Sequence, residues 1–152
     1  MPANHHAPES APARIAQRAT WLISRAFVRS SGLLAAAFEA EGDGLRGHHY
    51  RLLVAIDEYG AASQADLGRS VSVDRSDVTA VLSDLEGRGL IERTIDPEHK
   101  RRKIVSLTPA GRQQLLALDA IVDQVQEDFL APLTTAQRRQ LADLLRRLTA
   151  AE

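Results

Sequence analysis

The stretch DRSDVTAVLSDLEGRGLIERTI, Asp74–Ile95, holds the change of rhythm that decides the fold of this chain. Its first half places Val78, Val81, Leu82 and Leu85 at i, i+3, i+4 and i+7, the spacing of one apolar helical stripe. Asp74 with Asp77 three residues on has the form of a capped helix start, and Gly87 and Gly89 bracket the stop. Beyond them LIERTI alternates as a strand does, with β formers at Ile91, Thr94 and Ile95.

Working upstream, Ser63 with Asp66 repeats the capping pattern and opens a short helix, SQADLGRSV, with Ala65, Leu67 and Val71 apolar. Before it, HYRLLVAIDEY carries Leu52, Leu53 and Ile56 on one helical face and stops at Gly60. Downstream, RKIVSL reads as a second strand through Ile104 and Val105. Helix, short helix, second short helix and two-stranded hairpin make a winged helix–turn–helix, whose second short helix can enter the DNA major groove. On that reading the groove-facing residues are Arg75, Ser76, Thr79 and Ser83, with Ser72 and Asp74 at the entering end. Hydroxyls and a guanidinium there suit phosphate and base-edge contacts, although an ordinary polar helix surface has the same composition.

The hairpin linker DPEHKRRK adds charge. Between Arg88 and Lys103 six Lys or Arg stand against three Asp or Glu, in a chain of formal net charge -1. Strand alternation keeps Lys100, Arg101, Lys103 and Arg102 from all pointing one way. One or two are expected to clamp inward, with Asp96 as the candidate partner, while the rest reach phosphate or the minor groove.

The flanks read as helices. Arg14–Phe38 is predicted as one long helix, with Gly32 a candidate bend, ended by GDGLRG at Gly42–Gly47. Thr108-Pro109 starts another helix to about Leu130, and Thr134 with Gln137 caps a last one carrying Leu141, Leu144, Leu145 and Leu148. These stripes exceed what a winged helix needs for cover, so a two-fold partner is expected. The predicted division is a loose tail at 1–13, a dimerisation helix and loop at 14–46, the DNA-binding region at 47–108 and dimerisation helices at 109–150. The fold class is mainly α with a small β-hairpin.

Composition bounds the function. The 152 residues contain no cysteine, which excludes a disulfide scaffold, a thiolate nucleophile and a thiol redox sensor. Aromatics are only 4% against 44% hydrophobic, so Leu, Val, Ile and Ala must build the core. No apolar run is long enough to span a membrane and the start lacks a signal-peptide layout, so a soluble cytoplasmic protein is expected. No nucleophile–base arrangement, phosphate loop or HExxH motif is present, and neither an enzyme nor a cofactor is expected. His5 and His6 make a poor metal site, and no metal is assigned.

The run from Ser63 to Gly111 resembles the MarR winged-helix regulators. Leu85, Glu86, Gly89 and Leu90 match that family's L-E-x-x-G-L junction, and Leu107, Thr108 and Gly111 match its closing L-T-x-x-G. The resemblance covers roughly residues 14–150. It implies a homodimer joined through its terminal helices, recognition helices on a pseudo-palindromic operator, wings over the flanking minor grooves, and repression relieved by a small aromatic or phenolic effector. In the wing pattern D-P-x-D-R-R, the second Asp falls on His99 and the two Arg on Lys100 and Arg101, which makes Arg101 the implied minor-groove contact. His99 replaces an orienting carboxylate, which leaves the organisation of this tip open.

The family's effector pocket lies between the dimer helices and the DNA-binding lobe. Candidates are Trp21 with Arg25 or Arg18, able to stack on a ring and pair with its carboxylate, and His48 or His49 as hydrogen-bonding groups. A buried Trp beside a solvated Arg, and histidines that merely cap a helix, account for the same residues. A winged-helix module that binds protein instead of DNA is the alternative for the whole chain.

Overall fold

The structure is a computed structural model that describes residues 11–60, 62–71 and 74–150. Its elements run α1 (Ala13–Ala16), α2 (Ala19–Glu41), α3 (Gly47–Tyr59), β1 (Ala62–Ser63), α4 (Gln64–Ser70), α5 (Arg75–Gly87), β2 (Ile91–Ile95), β3 (Lys103–Leu107), α6 (Pro109–Leu130) and α7 (Thr135–Thr149). The fold class expected from the sequence is found, a mainly helical chain around a winged helix–turn–helix. His5, His6 and most of the expected tail lie outside the described residues.

The apolar stripe of α5 decides the packing. Val78, Leu82 and Leu85 are fully buried against Leu52, Leu53 and Ile56 of α3, Leu67 of α4 and Val105 of β3. Burying a leucine of this kind contributes about 1.5–3 kcal/mol, so the stripe alone fixes which face of α5 turns outward. The hairpin strands pair antiparallel from Ile91↔Leu107 to Ile95↔Lys103.

Four local expectations change. The sheet has a third strand, because Ala62 and Ser63 pair with Val105 and Ile104; two residues are too few to show a period of two. The first helix is interrupted, with Arg18 extended at φ -75, ψ 129 as the N-cap of α2. Arg is no capping residue, so the sequence carries no sign of that break. Gly32 does not break the helix, since α2 continues through it. Finally, Asp74 is the N-cap of α5 but its side chain makes no capping hydrogen bond, unlike Ser63, Thr108 and Thr134, which each accept from a backbone N–H three residues on.

The two glycine motifs dock on each other. Gly89 adopts φ +71, a conformation costly for residues with a Cβ, and lets the chain turn from α5 into β2. Thr108 donates its hydroxyl to the Gly89 carbonyl at 2.6 Å and accepts from Gly111 N–H at 3.0 Å. A Cβ on Gly111 would stand 1.9 Å from the Leu90 carbonyl oxygen, so α6 reaches the hairpin only because that residue is glycine.

Candidate nucleic-acid interface

The outward face of α5 carries Arg75, Ser76, Thr79 and Ser83, all exposed. Thr79 is already engaged: its hydroxyl donates to the Arg75 carbonyl at 3.1 Å and accepts from Gln64 Nε2 at 2.8 Å. That bond ties the start of α4 to the middle of α5, and Gln64 is a residue the sequence reading passed over. Asp74 is exposed at the helix start, and Ser72 lies outside the described residues.

The wing turn is organised by Asp96. Its backbone N–H donates to the Arg102 carbonyl at 2.8 Å, its carbonyl accepts from His99 N–H at 3.2 Å, and its carboxylate accepts from Glu98 N–H at 2.9 Å. The expected clamp of a wing base on Asp96 is not made. Arg102 instead crosses to α4, where its Nη2 donates to Asp66 Oδ2 at 2.8 Å. Arg69 binds the other oxygen of Asp66, and Ser63 Oγ donates to Oδ2 as well. The Ser63 hydrogen bond first, then the charges of Arg69 and Arg102, hold the Asp66 carboxyl below its ordinary range. At the root of the wing, Arg93 Nε donates to Glu86 at 2.9 Å, and that bond likewise lowers the Glu86 carboxyl.

Lys100, Arg101 and Lys103 are exposed and form no ion pair among the described residues. Between α4, the start of α5 and the wing root lies an open cleft of about 800 Å³, with Arg69, Arg75, Arg102 and Lys103 on its walls against Asp74. Four cations at one concavity suit a phosphate backbone.

The effector candidates do not converge within one chain. Trp21 is half-buried near the start of α2, with Arg18 and Arg25 exposed beside it. At 1.5 Å per residue Trp21 stands about 30 Å from the other end of α2, near which His48 and His49 begin α3. His48 is exposed, whereas both ring nitrogens of His49 are in use. Its Nδ1 accepts from Arg46 N–H at 3.1 Å and its Nε2 lies 3.0 Å from Asp84 Oδ2. Burial lowers the His49 pKa despite the opposing pull of Asp84, which favours a neutral ring with the proton on Nε2. Asp84 also takes Arg88 Nε at 2.9 Å, and Arg88 reaches the Asp43 carbonyl at 2.9 Å. The sequence also hid the link from α3 to α6, where Tyr50 Oη donates to Asp119 Oδ1 at 2.8 Å.

Large apolar surfaces remain uncovered. Phe27 and Val28 of α2 are 68% and 63% exposed, and α7 has no buried residue, with Leu148 at 64%. The turn from α6 into α7 is nevertheless fixed, since Arg138 donates to the Leu130 and Leu133 carbonyls and to Glu127.

The MarR family model matches residues 48–103, the segment that runs from the first turn of α3 through α4, α5, β2 and the wing turn to the first residue of β3. An assigned transcriptional regulator from Pseudomonas aeruginosa, of known structure, is 35% identical, with a TM-score of 0.76 over 87% of this chain and 97% of that one. The chain belongs to the MarR family. A transcriptional regulatory protein assigned to the hcr operon of Thauera aromatica is 37% identical over 99 residues, which are 65% of this chain and 60% of that protein. This MarR-family chain also superimposes on BpsR of Bordetella bronchiseptica, at 25% identity and a TM-score of 0.81 over 93% of its length and 100% of BpsR. The BpsR structure concerns regulation of DNA binding by 6-hydroxynicotinic acid. Transcriptional regulation is a non-enzymatic role. Among the described residues no helix is long and apolar enough to cross a membrane.

Proposed function

We propose that this chain is a cytoplasmic transcriptional repressor that binds a pseudo-palindromic operator as a homodimer and leaves it when a small aromatic or phenolic anion binds. The observation that carries the reading is the pairing of an exposed polar face on α5 with a wing whose Lys100, Arg101 and Lys103 are unpaired among the described residues. Arg75, Ser76 and Ser83 read the major groove, and Arg101 enters the minor groove. Residues 14–46 and 109–150 form the dimer, which the uncovered faces of α2 and α7 support. Two-fold symmetry then sets the recognition helices about one DNA turn, ~34 Å, apart. BpsR, whose DNA binding responds to an aromatic acid, supports the effector class.

The test is a titration of the protein on duplexes from the region upstream of its own gene. A retarded complex on a palindromic segment, with affinity falling steeply as salt rises, is the expected outcome. No complex at low salt overturns the repressor reading in favour of a protein-binding winged helix. For the effector, Trp21 with Arg25 is the proposed site, completed by the partner protomer. Tryptophan fluorescence should respond to an aromatic acid in wild type and lose that response in Arg25→Ala; an unaltered response removes Arg25.

A further inference from the structure

We propose that Asp66 is a positioning residue for DNA binding, holding Arg102 of the wing and Arg69 of α4 together as a two-guanidinium clamp for one backbone phosphate. The inference rests on the DNA-binding reading above and gives a role to residues which that reading leaves aside. One carboxylate takes Arg102 on Oδ2 and Arg69 on Oδ1, while Ser63 steadies it from the cap of α4. Arg69 and Arg102 also line the open cleft beside Arg75 and Lys103.

Two free arginines would repel each other and lose rotamer freedom on binding. Asp66 offsets the repulsion and fixes the pair in advance, leaving the triad one net positive charge. Each guanidinium has five N–H donors, so a hydrogen bond to Asp66 leaves others for phosphate oxygens. The same contact joins chain positions 36 apart and so sets the wing against the helix–turn–helix. Unpaired arginines have the opposite consequence: removing an acid beside DNA would raise affinity. Placement and charge therefore predict changes of opposite sign.

The experiment measures the affinity of full-length wild type, Asp66→Asn, Asp66→Glu, Arg102→Ala and the double variant for one duplex that wild type binds, across a series of salt concentrations. Asp66→Asn is expected to weaken binding on the order of tenfold. It should also flatten the slope of log affinity against log salt by about one, the signature of one lost phosphate. Asp66→Glu should restore most of the affinity, and Arg102→Ala in the Asp66→Asn background should cost little more. Circular dichroism and dimer mass, unchanged across the set, separate this loss from unfolding; where Asp66→Asn alone misfolds, Asp66→Glu and Arg102→Ala carry the slope comparison. Equal or tighter binding by Asp66→Asn, or a loss with the wild-type slope, overturns the clamp. Failure of wild type to bind any duplex instead overturns the DNA-binding reading itself.

Discussion

Replacing Tyr50 with Phe removes a single oxygen from the joint between the DNA-binding lobe and α6. The Tyr50 hydroxyl donates to Asp119 Oδ1 at 2.8 Å, and both side chains are half-buried. A hydrogen bond to a charged group contributes about 1.5–3 kcal/mol, and the partial exposure of this one reduces that to about 1–2 kcal/mol. Titration supplies a separate quantity, the stability that is lost once the phenol ionises. Burial first, then the bond to Asp119, pushes the phenol up to about 12 from its ordinary 10.0. Two pH units correspond to ~2.7 kcal/mol at most, and solvent screening brings this to roughly half. Because the folded value lies above the unfolded one, the contribution is complete below about pH 10 and disappears as pH rises through about 12. Urea unfolding at fixed protein concentration is the assay. At pH 7 Tyr50→Phe should lower the midpoint by about 0.5–1 M, for a slope near 2 kcal/mol/M. Between pH 10 and 11.5 wild type should lose stability faster than the variant, so that the two curves approach. Equal midpoints at pH 7, or parallel curves at high pH, would refute the reasoning.

Three other outcomes are expected. Leu144→Asp with Leu148→Asp should weaken self-association by at least about a hundredfold, read as a shift to monomer mass in sedimentation, because charges replace exposed leucines proposed to meet a partner. His49 accepts from Arg46 N–H only while neutral, and its pKa is lowered in the fold, so its contribution is complete above about pH 6.5 and is lost as pH falls through the folded value. His49→Gln can accept at the same cap without titrating, and its urea midpoint should therefore fall less than that of wild type between pH 7 and 5. Gly111→Ala should cost about 3 kcal/mol in thermal or urea unfolding, since its methyl meets the backbone carbonyl of Leu90.

Much of the fold was legible because it is written in local periods. The stripe Val78, Val81, Leu82, Leu85 and the caps Ser63, Thr108 and Thr134 each need only residues within a turn or two of helix, and each forms as expected. Asp74 with Asp77 shares the spacing of Ser63 with Asp66, yet its side chain makes no capping bond. The site was less legible. Arg102 pairs with Asp66, 36 positions away, and not with the nearby Asp96, whose carboxylate accepts from the Glu98 N–H of its own turn; that pairing follows from how the wing lies against α4, which spacing does not show. His49 reads from sequence either as a polar group near an expected pocket or as a helix cap, and the structure commits its nitrogens to the cap of α3 and to Asp84. Pairings such as Tyr50–Asp119, 69 positions apart, follow only from how the stripes pack.

A hydroxyl-radical footprint on a bound palindromic duplex, run with wild type and with Arg101→Ala, tests the DNA-reading arrangement most directly. Wild type should protect two symmetric patches about one helical turn apart, ~10 base pairs, with flanking minor-groove protection from the wings. Arg101→Ala should keep the dimer and the central patches, bind more weakly, and lose the flanking protection. Uniform protection, or flanks unchanged in Arg101→Ala, would contradict a dimer that reads DNA with α5 and the wing.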